Sequence, residues 1–168
     1  PISKKTAVGI DLGLNHFAIL SDGTKIDSPR FLRKSQAKLK WMGKKLSRKQ
    51  KGSNRFRRSV NRLAKQHAKI ANQRSYFIHN LSAKITDKYD TICMEKLNVK
   101  GMSAKCKPKQ DDKGKYLPNR QSQKRGMNKS IADAGWGMFV NQNEYKSKWK
   151  GKNFIQIGTF ERSSKECN

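Results

Sequence analysis

The stretch Ala7-Val-Gly-Ile-Asp-Leu-Gly-Leu-Asn-His-Phe-Ala-Ile-Leu20 decides the fold of this chain. Its first residues are apolar and partly β-branched, which is typical of a buried strand. Gly13 and Asn15 tolerate positive φ and predict a turn, and the apolar run after them predicts a second strand. Asp11 interrupts the first run, so a carboxylate is predicted at or near the end of an apolar strand. Burying that charge is costly unless a metal ion or a cluster of backbone N–H groups compensates it.

Three interpretations of Asp11 are open on this stretch alone. The carboxylate caps the turn, or it belongs to one of two known patterns that begin with Ile-Asp-Leu-Gly, as residues 10–13 do. One pattern is the phosphate-binding hairpin of actin-like ATPases and sugar kinases. The other is the metal-binding first strand of RNase H-like nucleases, and the remaining sequence distinguishes between them.

The composition predicts one basic domain that meets nucleic acid. The 168 residues include 39 Lys+Arg and 12 Asp+Glu, a net charge of +27. An excess of this size favours a polyanion over a small acidic substrate. Residues 1–168 contain no apolar run of about 20 residues and no signal-peptide pattern, so a membrane surface is the weaker alternative. The three cysteines, Cys93, Cys106 and Cys167, lack metal-ligand spacing among themselves and predict a reducing, cytoplasmic location.

A long basic helical segment follows the first strands. Lys25 and Ile26 predict a short third strand, and Ser28 and Pro29 predict the cap and first position of a helix from about 30 to 50.

A break at 51–54 ends this helix, and Ser53 or Asn54 can cap the next one. Apolar residues at three- and four-residue steps predict that next helix over about 55–87. The two helices can form an antiparallel hairpin. Residues 31–88 hold 18 Lys+Arg and one acid. An ordinary solvated helix mixes charge signs, so this segment indicates an electrostatic footprint for nucleic acid.

A second apolar strand ends in an acid. Asp90–Leu97 carries Glu95 after three apolar residues, and Cys93 within it is expected to be a small core residue. Residues 98–127 are predicted to be a disordered basic loop by composition. Ser130-Ile-Ala-Asp133 is typical of a capping box that opens a helix to about 149, and 153–157 is predicted to be the last strand.

This order of elements predicts an α/β fold with an RNase H-like mixed sheet and an inserted basic helical hairpin. In that sheet the first and fourth strands are neighbours, so Asp11 is expected beside Glu95. Two carboxylates on adjacent strand ends repel unless they share a cation, and hard oxygen ligands suit Mg²⁺ or Mn²⁺. The ATPase interpretation is disfavoured because residues 1–168 contain no second Gly-rich phosphate loop and nucleotide hydrolysis does not explain the charge.

Several segments in order resemble the TnpB/OrfB family of insertion-sequence proteins, probable transposases related to type V CRISPR effectors. They are Val8-Gly-Ile-Asp-Leu-Gly-Leu14, the basic arm, Ile92-Cys-Met-Glu-Lys-Leu-Asn-Val-Lys-Gly-Met102, Asn128-Lys-Ser-Ile-Ala-Asp-Ala-Gly-Trp-Gly-Met-Phe139 and Ser163-Ser-Lys-Glu-Cys167. The resemblance implies a RuvC-type RNase H fold that acts as a transposon-encoded, RNA-guided DNA endonuclease with DNA and guide RNA as partners.

The resemblance also assigns site residues. Asp11 and Glu95 correspond to the first and second catalytic acids, which bind Mg²⁺ or Mn²⁺. Cys167 matches the first cysteine of a zinc-binding insertion, so Zn²⁺ is expected only in a longer chain. The third acid of the family lies beyond that insertion, and Asp133 and Glu144 are the only candidates here to replace it. Asp133 is better explained as a helix N-terminal acid and Glu144 as a surface residue.

We expect a piece of a longer protein, because Pro1 leads directly into a strand and Cys167 is close to the last residue. The predicted division is 1–30 for the first RuvC-like strands, 31–88 for the basic helical insertion, 89–160 for the rest of the RuvC-like core with basic loop 98–127, and 161–168 for the start of an incomplete zinc module. With two acids the chain is expected to cut DNA poorly by itself.

The predicted nucleic-acid contacts are the lysines and arginines of the arm and the loop: Lys38, Lys44, Lys45, Arg48, Lys49, Arg55, Arg57, Arg58, Arg62, Lys105, Lys107, Arg120, Lys124 and Arg125. Trp41, Trp136 and Trp149 are predicted to be core or interface residues, and the three histidines to be structural. The alternatives are an inactive nucleic-acid-binding remnant and, less favoured, an actin-like ATPase fragment. Steep salt dependence of binding separates nucleic-acid binding from ATP binding.

Overall fold

The computed structural model describes residues 6–158, which form a five-stranded mixed sheet, a two-stranded ribbon and five helices. In chain order the elements are β1 (Ala7–Leu12), β2 (His16–Leu20), β3 (Lys25–Asp27), α1 (Phe31–Ser47), α2 (Asn54–Lys88), β4 (Thr91–Glu95), α3 (Val99–Met102), β5 (Lys109–Gln110), β6 (Tyr116–Leu117), α4 (Gln121–Ala134), α5 (Trp136–Trp149) and β7 (Asn153–Ile157). The predicted mixed α/β class is confirmed.

The large sheet has the strand order β3-β2-β1-β4-β7. β1 and β2 form an antiparallel hairpin, β2 and β3 are also antiparallel, and β4 runs parallel to both β1 and β7. The antiparallel strands are joined by short turns, whereas the parallel pairs require the long helical crossovers that the sequence supplies. The prediction that the first and fourth strands are neighbours is confirmed.

One face of the sheet carries the core. Alternate residues of the central strands, including Val8, Ile10, Ile92 and Met94, are buried in one cluster with side chains of the helices α2, α4 and α5. Phe17 anchors this cluster, since its ring meets Phe77 and Phe139 edge-on at centroid distances of 5.2 and 5.1 Å. These T-shaped contacts add to the stabilisation from apolar burial.

The opposite face of the sheet carries a row of exposed apolar side chains within residues 6–158. Ile19 is 37% exposed and Ile155 is 48% exposed. Cys93 lies opposite Ile155 in the β4–β7 register and is half-buried. The expectation that Cys93 is a core residue is therefore wrong, because its position in the strand alternation puts it on the open side.

The basic segment folds as the predicted helical hairpin. α1 has no buried residue, and no residue of α2 before Ile70 is buried. α2 has 35 residues and is therefore about 52 Å long, so its first half extends along α1 beyond the core. Ser53 caps α2 as predicted, because its side chain accepts a hydrogen bond from the Phe56 N–H at 3.1 Å.

The start of α1 differs from the prediction. Its N-cap is Arg30, whose side chain forms no capping hydrogen bond, and the cap predicted at Ser28 is wrong. Both carboxylate oxygens of Asp133 accept from the Leu32 N–H instead, at 2.9 and 3.1 Å. The helix is thus capped by an acid 101 residues away in sequence, which no local pattern could indicate.

The second half of the chain is more regular than predicted. Residues 98–127 contain α3, the β5–β6 ribbon and the start of α4, and not a continuous disordered loop. The single helix predicted over 130–149 is two helices that meet at Gly135, where φ is 70°. Ser130 and Asp133 lie near the end of α4, so the predicted capping box is wrong. No helix in residues 6–158 is both long and apolar enough to cross a membrane.

Candidate metal site and nucleic-acid interface

Asp11 and Glu95 lie side by side at the carboxyl ends of two parallel strands. The β1–β4 register pairs Ile10 with Met94, and the two acids are the next residue on each strand. Adjacent strands are about 4.8 Å apart. Both acids are exposed, and both follow a buried residue, so they share the face of the sheet that turns away from the core.

The surroundings of this carboxylate pair suit a hard cation. Within residues 6–158, neither Asp11 nor Glu95 forms an ion pair, although cations outnumber acids more than threefold in the chain. Two like charges on neighbouring strands repel, and a divalent ion with oxygen ligands is the simplest compensation. The exposed position leaves both carboxylates accessible to an ion and to a phosphodiester.

The described part of the chain offers two acids at this place and no larger cluster. No group of three or more His, Cys, Asp or Glu side chains in residues 6–158 is arranged to hold an ion. Asp133 is 9% exposed and its carboxylate is occupied by the Leu32 N–H and by Arg74, at 3.1 Å from Nη2. Glu144 is exposed on α5, as predicted for a surface residue. Cys167 lies outside the described residues.

The predicted nucleic-acid contacts are cationic side chains at the protein surface. All are exposed except Lys49 and Lys124, which are half-buried. The cations that pair with acids within residues 6–158 are Arg74, Lys88, Lys150 and Lys152, together with the ring of His16, and none belongs to the predicted set. Charges without an acidic partner are available to phosphates, and each phosphate contact releases a counterion.

Two members of this set also make contacts inside the hairpin. Lys49 Nζ donates to Ser59 Oγ at 2.5 Å, which fixes the tip of the hairpin. Lys45 Nζ lies 3.9 Å from the centre of the Trp41 ring, and Trp41 is 55% exposed. A cation–π contact of this kind leaves the positive charge intact for a polyanion.

The tryptophans divide between core and surface. Trp136 is 3% exposed and belongs to the core cluster, as predicted. Trp149 is 80% exposed and packs on Tyr145 with ring centres 4.7 Å apart. Of the two predicted possibilities, core or interface, Trp41 and Trp149 do not lie in the core, because the faces of α1 and α5 that carry them have no covering element within the described residues. An interface position for them stays a prediction.

Sequence reasoning missed three further cations that the fold brings together. Arg30 and Arg33, at the start of α1, line one cavity with Lys129 of α4. About a hundred residues separate the two sides of this cavity in sequence. No local sequence pattern indicates this grouping, and the φ of 51° at Arg30 is seen only in the structure. Non-glycine residues rarely adopt this conformation.

Other charged groups stabilise the fold and do not serve the carboxylate pair. Hydrogen bonds from the Tyr89 hydroxyl, which has the largest effect, and from Thr24 hold the pKa of Asp22 far below its ordinary value. The Lys150 ammonium lowers the pKa of Asp87. Lys146 donates to the His79 carbonyl and to Ser82 Oγ between α2 and α5, and burial lowers its pKa.

Comparison with known proteins yields a family and several relatives. The family described as "Probable transposase" matches residues 2–105. A protein of Streptomyces pristinaespiralis named "Putative RNA-guided DNA endonuclease" is 31% identical over 161 residues, which cover 96% of this chain and 35% of the relative. A protein of Escherichia coli K12 named "Putative RNA-guided DNA endonuclease InsQ" is 31% identical over 150 residues, which cover 89% of this chain and 36% of the relative. A similarly named protein of Mycobacterium tuberculosis is 25% identical over 166 residues. The chain spans about a third of the length of these relatives.

Proposed function

The chain belongs to the OrfB family of probable transposases, and from this premise we propose that it is the core fragment of a transposon-encoded, RNA-guided, metal-dependent DNA endonuclease. The names of its relatives and the exposed cationic surface support DNA and guide RNA as partners. The strand order β3-β2-β1-β4-β7 supports an RNase H-like, RuvC-type sheet. In this proposal the α1–α2 hairpin, within residues 31–88, is the basic insertion.

The observation that carries the proposal is the placement of Asp11 beside Glu95. The parallel β1–β4 register brings the two carboxylates to one edge and one face of the sheet, in solvent. Both side chains would hold Mg²⁺ or Mn²⁺ through oxygen. Such ions, when bound, supply Lewis acidity for phosphodiester hydrolysis. The contribution of the chain is to fix the position of the two carboxylates on a rigid pair of strands.

The hairpin and α4 would bind the nucleic acid. Their unpaired lysines and arginines contact phosphates without reading bases. In an RNA-guided protein, base pairing reads the sequence, while the protein recognises shape and backbone. The large positive surface is therefore consistent with a protein that leaves sequence reading to a guide.

A second candidate function is nucleic-acid binding without cleavage. The observation that favours it is the absence of a third acid beside Asp11 and Glu95 within residues 6–158. Two ligands hold a divalent ion weakly and orient it poorly, so we expect little cleavage by this chain alone. By the family resemblance, the third acid and Zn²⁺ belong to a longer chain.

The test measures ion binding and DNA cleavage on the same protein. Mn²⁺ is titrated while backbone amide resonances are followed, and we expect paramagnetic broadening centred on the ends of β1 and β4. Asp11→Asn and Glu95→Gln should each abolish it. The matched control is Asp112→Asn, which removes an exposed acid from the turn of the β5–β6 ribbon and should change nothing. Broadening that persists in both site variants would contradict the metal site.

Cleavage of single-stranded DNA in Mg²⁺ or Mn²⁺ then separates the two candidates. Cleavage that is lost in Asp11→Ala and Glu95→Ala supports the nuclease and shows that two acids suffice. Tight, salt-sensitive binding without cleavage, unchanged in both variants, supports the binding module for this chain. Cleavage that survives both substitutions would overturn the proposed active site.

A further inference from the structure

A cavity of about 740 Å³ opens between the β1–β2 turn, the first turns of α1, and α4. Its volume lies within the range of about 300–1,000 Å³ that is typical of small-molecule sites. Asn15 contributes from the turn, four residues after Asp11 in sequence. The cavity is thus built at the same end of β1 as the carboxylate pair, from residues that the proposed metal site does not use.

The cavity wall has a positive charge that nothing in the described residues balances. Arg30, Arg33 and Lys129 line it, and none forms an ion pair within residues 6–158. The one acid in the wall, Asp133, is already held by the Leu32 N–H and by Arg74. Two guanidinium groups and an ammonium around one space favour a phosphate, which arginine binds through paired hydrogen bonds.

Three amide side chains line the same space: Asn15, Gln36 and Gln123. None of them makes a side-chain hydrogen bond to another described residue, in contrast to Gln121 and Gln142, which do. A carboxamide presents donors and an acceptor together, as does the edge of a nucleobase. The Met127 side chain, 40% exposed at the same wall, offers an adaptable apolar surface for a base.

We propose that this cavity binds one nucleotide of a single-stranded nucleic acid, with its phosphate on Arg30, Arg33 and Lys129 and its base edge on the three amides. A single strand is required because a base inside a duplex is stacked and paired, whereas an unstacked base can enter a pocket. The inference rests on the proposed function, since it assigns the cavity to a strand that also passes the Asp11 end of β1.

Charge-matched variants of the whole chain test the phosphate contact. Arg33 lines the cavity, whereas Lys34, the next residue of α1, does not. Binding of short fluorescent DNA and RNA single strands is measured by anisotropy for Arg33→Gln and Lys34→Gln. We expect Arg33→Gln to weaken binding by about 10-fold or more, as for the loss of a charge-assisted hydrogen bond. Lys34→Gln should weaken it by less than about threefold, because solvent and salt screen its charge.

Arg30→Gly separates binding from stability. Glycine adopts a φ of 51° without strain, so this substitution removes the guanidinium while it relaxes the backbone. We expect an unchanged or higher Tm together with weaker binding of the single strand. A variant that binds as wild type would contradict the role of Arg30.

Titration with a nucleoside monophosphate tests the cavity without contacts from the rest of a nucleic-acid strand. The side-chain amide resonances of Gln36 and Gln123 should shift. Gln36→Ala should reduce the affinity severalfold, while Gln73→Ala, which removes an exposed glutamine from α2, should not. A preference of the chain for RNA or for DNA single strands would identify the strand that supplies the nucleotide.

The inference and the proposed function fail in different ways. If Arg33→Gln and Lys34→Gln behave alike and the monophosphate shifts no cavity resonance, the nucleotide site is overturned, even where salt-sensitive binding of nucleic acid persists. If wild-type binding of single strands has no salt dependence, the proposed nucleic-acid function is overturned, whatever the cavity binds.

Discussion

At the scale of single residues, four acids have different roles. Asp11 and Glu95 end apolar strands, are exposed, and have no ion-pair partner within residues 6–158. Asp133 is nearly buried and joins α4 to α1 and α2, because it accepts from Leu32 and pairs with Arg74. Asp22 accepts from the Tyr89 hydroxyl at 2.5 Å. The first two are therefore available for a ligand, whereas the other two maintain the fold.

Asp133→Ala should destabilise the protein without affecting the carboxylate pair. It removes the oxygens that cap α1 and leaves the Arg74 guanidinium without its ion-pair partner. Loss of a cap costs about 0.5–2 kcal/mol, and a broken, largely buried pair costs more, so we expect about 2–4 kcal/mol from urea unfolding. The control Asp112→Ala should change stability by less than about 0.5 kcal/mol. An Asp133→Ala protein as stable as wild type would show that the acid does not stabilise the start of α1.

At the scale of elements, α4 and α5 are joined by Gly135, and the need for glycine at this position comes from the tertiary packing around it. Gly135 has a φ of 70°, and a Cβ at this position would come within 2.8 Å of Arg74 Cδ and 3.2 Å of Ile78 Cδ1. The left-handed conformation ends α4 and lets α5 start in a new direction, which brings Trp136 and Phe139 into the core. The crossover between β4 and β7 thus needs two helices.

Two glycine substitutions, two residues apart, should have opposite effects. Gly135→Ala forces an alanine into a left-handed conformation and against Arg74, so we expect a loss of about 1–3 kcal/mol. Gly137 lies in α5, and a Cβ added there would meet no atom of the described residues within 4 Å. Gly137→Ala should therefore stabilise the protein by up to about 1 kcal/mol. Urea unfolding of both variants measures the difference. Equal effects would contradict the strain assigned to Gly135.

The tip of the α1–α2 hairpin lies outside the core, because no residue of α1 and none of α2 before Ile70 is buried, so the charges there should act on binding and not on stability. Replacement of Arg55, Arg57 and Arg58 by Gln removes three exposed cations near the start of α2. For single strands each phosphate contact contributes about 0.7 to the magnitude of the slope of log binding constant against log salt concentration. Loss of three contacts should therefore reduce this magnitude by about 2. Tm should change little because these side chains are exposed.

A matched triple variant gives the control for this experiment. Lys25, Lys84 and Lys148 are also exposed but lie outside the predicted contact surface. Their replacement by Gln lowers the net charge equally and should reduce the slope much less. If the two triple variants lose the same slope, binding follows net charge alone and the hairpin is not the specific contact.

At the scale of the whole molecule, a net charge of +27 opposes compaction, and a few acids placed near cations help to offset it. Asp87 accepts from Lys150 at 2.6 Å, and Asp90 accepts from the Thr6 N–H at 3.0 Å. Both have a lowered pKa, as does Asp22. These contacts tie the ends of α2 and β4 to the first strand and to α5.

Stability should therefore fall in acid. The folded pKa values of Asp22, Asp87 and Asp90 lie below that of an unfolded aspartate, about 3.9, so their contribution is present above that pH. This contribution is lost as the pH falls through the folded pKa values, because the carboxylates are then protonated in both the folded and the unfolded protein. We expect Tm to be nearly constant from pH 7 to 5 and to fall below about pH 4.

The Asp22→Asn variant should lose part of this pH dependence, since the hydrogen bond from Tyr89 is the largest cause of the lowered pKa of Asp22. Asp112→Asn should retain the full dependence. A Tm that rises on acidification would contradict the assignment. Melting curves from pH 7 to 3 at constant ionic strength provide the measurement.

Much of the sheet was predictable because its signals are local. The alternation around Asp11, the apolar run before Glu95 and the final strand at 153–157 predicted β1, β4 and β7, and the three- and four-residue periodicity predicted α2. The two candidate metal ligands came from the same patterns, since an acid at the end of an apolar strand is visible without knowing what lies beside it.

Tertiary structure alone decided the rest. The cap of α1 by Asp133, the break at Gly135 beside Arg74, and the cavity between Arg33 and Lys129 each join residues that lie about 60 to 100 positions apart in sequence. Periodicity reports which face of an element is apolar, but it does not report which element covers that face. By itself the sequence determined the strands of the large sheet, the long basic helix and the charge. Packing determined which polar groups are used to hold the fold and which remain free for a ligand, because that choice depends on neighbours brought together only when the chain is folded.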